Sequence, residues 1–345
     1  MNEDFKRITI KDVAREAKVS ITTVSHALNK TRYVKPQTID HVKEIALKMG
    51  YRPSSIAQGM RKKSLQMIAV FLPVISSQFF SNILIGINEV ALKNNYHTIL
   101  VNTFYDTAEE IKINENLKDQ IIDGAIFLSG YDNKDYISKL SQTKFPFVLV
   151  GRKIIGKYPS VLIDNYNATK NAVDYLIKYN HKNIGYISLD YNKKGTIKDR
   201  FNGYCDALKE NNIRFNKDYV LISERIALDE MNYSYILCNE FFKLKKPPTA
   251  IMATTDNIAI GAYKCIKDHG LRIPEDISII GFDDLIISNY LDPPLTSVKQ
   301  PKTSMGYQAM ELLLKLIRKE KVKNSQILLE HELVIRDSVA PARKS

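Results

Sequence analysis

Tryptophan is absent from the 345 residues, and the three cysteines, Cys205, Cys238 and Cys265, form no Cys-x-x-Cys pair. No histidine cluster accompanies them, so neither a metal site nor a cofactor is expected. An odd, scattered set argues for free thiols in a reducing compartment rather than a disulfide framework. No apolar run approaches the roughly 18 residues of a membrane-spanning helix. The leading MNEDFKR lacks the apolar stretch of an export signal, so the expected location is the cytoplasm. Gly-x-Gly-x-x-Gly, Walker A, Gly-x-Ser-x-Gly and His-Glu-x-x-His motifs are all missing, and no solenoid-type repeat occurs.

What is present is a basic start. Residues 1–63 hold 14 Lys/Arg against 6 Asp/Glu, a balance of +8 out of the chain's +12. Charge gathered in so short a stretch suits a polyanion partner, although a solvated basic face would produce the same count. The pattern adds detail. Thr9 and Asp12 have capping-box spacing before Val13, Ala14 and Ala17. Ser20 is placed to cap a second helix whose Val24, Ala27 and Leu28 face inward. Lys18 lies in the turn between them, where a left-handed residue is required at a cost of about 1 kcal/mol. Pro36 opens a third helix carrying Ile39, Val42, Ala46 and Met49, closed by Gly50. This is a helix-turn-helix, a device for laying one helix in the DNA major groove.

The second helix leaves Ile21, Thr22, Ser25 and His26 outside. Ile21 suits a thymine methyl, and Thr22 and His26 suit hydrogen bonds to base edges. Thr9, Ser20, Thr23, Ser25, Asn29, Arg32, Tyr33 and Lys35 are assigned to the DNA backbone or groove. A protein-binding three-helix module is the alternative.

These residues resemble the LacI/GalR family of bacterial transcription regulators, and the resemblance extends over nearly the whole chain. Within the family, VSITTVSHALNKTRYV is most similar to the segment of purine-responsive members, which implies base reading by Ile21, Thr22 and His26. The next segment, YRPSSIAQGMRKK, starts a helix at Pro53 but is only about two turns long, and helices of that length are marginal in water. The resemblance makes it a hinge helix that folds in the operator's minor groove through Ser54, Ala57 and Met60. Met60 stands where the family has a leucine wedge; methionine can also unstack a base step. A plain tether is the alternative.

From Leu65 the pattern changes to the apolar runs MIAVFL, HTILV, GAIFL, FPFVLV, NIGYISL, TAIMAT and ISIIGF, each before a helical segment. Continuous runs mark strands buried on both faces, hence parallel sheets under helices. Their number favours two similar halves. The expected fold is therefore an all-α three-helix headpiece (1–50), a hinge (51–63) and an α/β core (64–345). The core comprises two doubly wound parallel-sheet subdomains, which the resemblance makes of periplasmic-binding-protein type. The first is expected to span about 64–163 plus 291–323, and the second 164–290 plus 324–340. The last strand is expected within 326–338.

Ligands of open parallel sheets bind at the carboxyl ends of the strands. Those ends supply Phe79 and Phe80, Asn102 and Tyr105, Ser129, Arg152, Asp190, Thr255 with Asp256, and Asp283. Rings, amides, carboxylates and a guanidinium form a carbohydrate-binding set. The resemblance adds Arg200 as a ligand clamp, Asp283 as a ligand-binding aspartate and Phe79 or Phe80 as the stacking ring. It also implies an Asn-Asp pair, of which Asp256 is kept and Thr255 replaces the asparagine. A Phe-Phe pair can equally be core, Arg200 a salt-bridge partner, and Asp283 a turn residue.

The function these readings imply is repression of carbon-source genes by a homodimer on a pseudo-palindromic operator, under the control of a sugar or sugar phosphate. A purine or other non-sugar effector is the alternative, and a sugar-binding protein without a DNA role is the remaining one. No histidine lies at the cleft edge and no acid–base pair is evident, so an enzyme is not expected. After residue 338 no heptad-bearing tail remains to join dimers.

Overall fold

The computed structural model describes residues 8–29, 32–51, 64–118, 122–128, 134–189, 195–223 and 229–343. The chain divides into two compact units, Met1–Leu65 and Gln66–Ser345.

The first unit contains α1 (Ile10–Glu16), α2 (Ile21–Asn29) and α3 (Pro36–Lys48). The Asp12 carboxylate accepts the Thr9 N–H at 2.9 Å and the Thr9 hydroxyl at 2.7 Å, which fixes the start of α1. Ser20 Oγ accepts the Thr23 N–H at 3.0 Å and starts α2. Lys18 adopts φ 52°, so the turn takes the left-handed residue the spacing demanded. Val13, Ala14, Ala17, Val24, Ala27, Val42 and Ala46 are buried together. Small residues at these positions let three short helices pack without a large core.

The second unit holds two six-stranded sheets. Its strands are β1 (Met67–Leu72), β2 (His97–Asn102), β3 (Gly124–Leu128), β4 (Phe147–Val150), β5 (Ser160–Ile163), β6 (Ile184–Leu189), β7 (Val220–Ser223), β8 (Ala250–Ala253), β9 (Ser278–Asp283), β10 (Thr296–Lys299), β11 (Gln326–Leu329) and β12 (Glu332–Val334). Its helices are α4 (Gln78–Lys93), α5 (Thr107–Lys118), α6 (Lys134–Gln142), α7 (Asn165–Lys178), α8 (Thr196–Glu210), α9 (Glu230–Cys238), α10 (Asp256–Asp268) and α11 (Lys302–Ile317). The first sheet runs β11-β5-β4-β3-β1-β2 and the second β12-β10-β9-β8-β6-β7. All pairings are parallel except β10 with β12.

Every apolar run read from the sequence is a strand, and the first change of sheet lies between β5 and β6, just after Ile163. The other two crossings need correction. β10 belongs to the second sheet, so the chain changes lobe after Lys299 rather than at 291. The segment 326–338 is two strands rather than one: β11 pairs with β5 in the first sheet and β12 with β10 in the second. The third crossing is therefore at Glu330 and His331 rather than at 323. The cause is local: QILL and ELV each satisfy one sheet's open edge, and the two residues between them change lobe.

Two glycines set the closest helix contact of the first lobe. A Cβ at Gly86 on α4 would lie 2.0 Å from the Thr303 carbonyl oxygen, and one at Gly306 on α11 would lie 1.9 Å from that of Ile83. Those contacts are with backbone, so no rotamer change relieves them. Gly86→Ala should lower the unfolding free energy by at least about 1–3 kcal/mol in urea denaturation; an unchanged midpoint would show that α4 and α11 separate freely.

Candidate nucleic-acid interface and ligand cleft

On the first unit, Ile21 is 44% exposed, Thr22 is exposed and His26 is half-buried. One assignment to this face fails. Ser25 is only 6% exposed and lies among the buried residues of α2. It follows Val24 by 100° around the helix, and its small side chain fits the narrowing gap to the core. Asn29 donates to the Ser25 carbonyl at 2.9 Å, so its amide is engaged within the helix. The hydroxyls of Ser20 and Thr23 meet at 2.8 Å at the helix start. Arg32, Tyr33 and Lys35 stand exposed between α2 and α3, with Tyr33 at 87%. Ser54, Ala57 and Met60 lie outside the described residues, as do Ser129 and Asp190.

In the second lobe, strand ends bring Arg200 and Asp283 together. Arg200 is buried; its Nε donates to Asn165 Oδ1 at 2.8 Å and its Nη1 to the Thr254 carbonyl at 2.5 Å. The guanidinium lies 3.6 Å over the Phe282 ring, a cation–π stack that holds it flat. Asp283 ends β9 with φ 118°, and Asp284 follows at φ 52°. Both conformations are strained for residues with a side chain. Gln300 Nε2 donates to Asp283 Oδ1 at 2.7 Å, and Lys302 Nζ donates to the carbonyls of Asp283 and Asp284. Burial pushes the Asp283 carboxyl up to about 7, with the Arg200 charge opposing.

Asp256 has a structural position instead of the ligand role the resemblance implied. It is fully buried, and its carboxylate accepts the Leu285 N–H at 2.7 Å and the hydroxyls of Ser288 and Ser297 at 2.6 Å each. Gly281 makes room for it, since a Cβ there would stand 2.2 Å from Asp256 Oδ1. With three strong donors the carboxylate ties the loop after β9 to the start of α10.

The first lobe contributes less than expected. Phe80 belongs to the apolar core, while Phe79 is partly buried beside it, their rings edge to face at 5.2 Å. Asn102 Oδ1 accepts the Ile75 N–H at 3.0 Å, and Tyr105 is half-buried at φ 62°. Arg152 is turned to α5, where Nη1 meets Glu110 at 2.9 Å with both side chains buried. That ion pair, on the helix side of the sheet, explains why Arg152 does not stand in the cleft.

Contacts that bridge the lobes include Lys153 Nζ to Asp199 Oδ2 at 2.7 Å and the Ile286 N–H to Gln78 Oε1 at 3.0 Å. Sequence reasoning also missed Glu230. Its Oε2 accepts the Thr255 hydroxyl at 2.9 Å, while Thr255 Oγ1 caps α10 through the Ile258 N–H. Burial raises the Glu230 carboxyl, and Arg200 lies close enough to oppose this. Glu230 follows β7, whose four-residue VLIS was not read as a strand, so its carboxyl end was not searched. Among the described residues no group of three or more His, Cys, Asp or Glu could hold a metal. The wall offers one guanidinium, two carboxyls and the Phe282 ring, groups able to hold hydroxyls.

Comparison with known proteins gives the geometry a context. Residues 9–54 match the model described as bacterial regulatory proteins, lacI family, and residues 173–339 that of a periplasmic binding protein-like domain. Catabolite control protein A of Priestia megaterium is 34% identical over 342 residues, covering 96% of this chain and 99% of that protein. The HTH-type transcriptional repressor PurR of Pasteurella multocida is 33% identical over 334 residues, covering 96% and 98%. The structure of the lac repressor dimer bound to operator and the anti-inducer ONPF superposes with a TM-score of 0.81 at 25% identity, covering 97% of this chain and all of that one.

The raised Asp283 pKa has a signed consequence. Between the ordinary carboxylate value and about 7 the folded chain holds a proton that the unfolded chain has lost, so stability falls as pH rises through that window. Asp283→Asn removes the penalty. The variant's unfolding midpoint relative to wild type should therefore rise between pH 5 and pH 8, by a few kcal/mol at most. A constant difference across that range would rule out the shifted carboxyl.

Proposed function

The chain belongs to the lacI family of bacterial regulatory proteins, and from that premise we propose that it represses carbon-source genes under the control of a neutral sugar held between its two core lobes. It is a DNA-binding transcription regulator with an effector-binding core. The observation that carries the effector reading is the Arg200–Asp283 wall, flattened on Phe282 and flanked by Glu230. A guanidinium and carboxyls at one strand edge hold hydroxyl pairs by forked hydrogen bonds. With Arg200 and Lys302 already balanced by Asp283 and Glu230, the wall keeps little net positive charge for a phosphate dianion, which favours a free sugar over a sugar phosphate. A purine is the second reading, supported by the purine repressor relative and by carboxyls able to accept ring N–H groups.

The reading head is assigned to α2, with Ile21, Thr22 and His26 at base edges and Arg32, Tyr33 and Lys35 at phosphates. Two copies are needed for a pseudo-palindrome. Exposed apolar residues on both lobes support a homodimer: Ile85, Leu92, Leu100, Ile236, Ile287 and Tyr290. The lobe angle then sets whether two hinge segments meet on DNA. No described helix is long and apolar enough to cross a membrane, and the proposed place of action is the cytoplasm. The cleft is assigned to binding rather than catalysis.

Two measurements test this. His26→Ala should relax operator discrimination by about 1–3 kcal/mol at one base position; equal weakening on random DNA would reduce His26 to a phosphate contact. Neutral pentoses, hexoses and disaccharides, their phosphates and purine bases should be screened by thermal shift. A free sugar should raise the wild-type midpoint and leave Arg200→Ala unmoved. A shift only with purines would favour the second reading, and a shift surviving in Arg200→Ala would remove Arg200 from the site.

A further inference from the structure

The outer face of the first sheet is unevenly covered. α5 and α6 lie over β1, β3 and β4, burying Phe71, Phe127 and Phe147 with Tyr136, Ile137 and Leu140. Farther toward the edge no described helix covers the sheet. In register, Ser160 stands beside Leu149 and Gln326, and Leu162 beside Leu328. Val161 and Ile163 face the core on the other side, so alternation sends Ser160 and Leu162 outward. The loop after β4 borders this edge and leaves a half-open cavity of about 380 Å³, lined by Leu149, Leu162 and Leu328 of the strands and by Ile154 and Tyr158 of the loop. That volume falls in the range of small-molecule sites, roughly 300–1,000 Å³.

Three features mark it as more than a surface dent. Ser160 is only 3% exposed, yet its hydroxyl has no hydrogen-bond partner among the described residues. Buried polar groups are almost always paired, so this hydroxyl keeps hydrogen-bonding capacity beside the cavity. Ile155 and Leu328 are each 65% exposed at the mouth, leaving apolar surface in water. The charged residues of the wall are already matched, Arg152 by Glu110 and Lys153 by Asp199, so the cavity carries no net charge to attract an ion.

The cavity also borders the moving parts. Leu162 lies two residues before the first crossing at Asp164, and Leu328 two before the third at Glu330. Lys153 in its wall reaches the other lobe at Asp199, next to Arg200. An occupant touches β5, β11 and the loop carrying Lys153 at once.

We infer that this cavity is a second ligand site, distinct from the cleft, which takes a small neutral ring bearing one hydroxyl or carbonyl and biases the angle between the lobes. Ser160 supplies the hydrogen bond and the three leucines the apolar lining.

Phenol is a suitable probe for the full-length chain, observed through the leucine methyl signals and through operator affinity. Saturable shifts of Leu162 and Leu328 are expected, with operator affinity changing at least about threefold at saturation. Ser160→Ala should weaken phenol binding about 3- to 10-fold, as for one neutral hydrogen bond. Leu328→Trp fills the cavity from an exposed position that the fold tolerates, and should abolish both responses. Shifts that never saturate, or binding unchanged in Leu328→Trp, would overturn the site. Saturable binding with unaltered operator affinity would overturn the bias on the lobes.

Discussion

The ammonium of Lys302 is the contact on which the two-lobed core depends. It is almost fully buried, and a buried ammonium is tolerated only where acceptors surround it. Those acceptors are the carbonyls of Asp283 and Asp284, in two successive residues with positive φ. Lys302 begins α11, which packs on α4 in the first lobe, while Asp283 ends a strand of the second. The strained turn is held further by Gln300 and by Arg336, whose Nη2 donates to Asp284 at 2.5 Å. One crossing therefore fixes the strand end that the proposed effector must touch to the helix that must move with the first lobe.

Against this permanent tie, the contacts that set the lobe angle are weak. Lys153–Asp199 is partly exposed, and such pairs contribute roughly 0–1 kcal/mol. Gln78 to the Ile286 N–H adds one neutral hydrogen bond. Each lobe keeps one apolar cluster of its own on one face of its sheet, while a third cluster draws buried residues from both lobes. The polar latches themselves are weak enough that a differential affinity of about 1–3 kcal/mol suffices to shift the population. A regulator needs this division between rigid lobes and a lightly latched angle.

Much of this was legible in residue order, for identifiable reasons. Parallel strands buried on both faces produce unbroken apolar runs, so β1, β3, β4, β6, β8 and β9 were visible; the part-exposed edge strand β2 was visible through Ile99, Leu100 and Val101. β5, β7, β10, β11 and β12 are no longer than β4 and β8, but each includes a polar residue and β11 and β12 are part-exposed, so no unbroken apolar run marks them. That blindness moved two crossings and hid Glu230 behind an unrecognised strand. Arg152 shows the other kind of error: a strand-end position was read correctly, but its direction was decided by Glu110, 42 residues away in the chain.

The amino-acid sequence by itself determined the local rules of this protein: the caps at Thr9 and Ser20, the left-handed turn at Lys18, the inward faces of three helices and the identity of most strands. These depend on neighbours within a few residues, where spacing is enough. Only the tertiary structure decided which carboxylate serves which purpose. Asp256 and Asp283 are both strand-end aspartates, but Gly281, Ser288 and Ser297 enclose the first, while Arg200, Gln300 and Lys302 gather around the second. Burial and partners set a carboxyl's role, and both come from segments that meet only when the sheet is assembled.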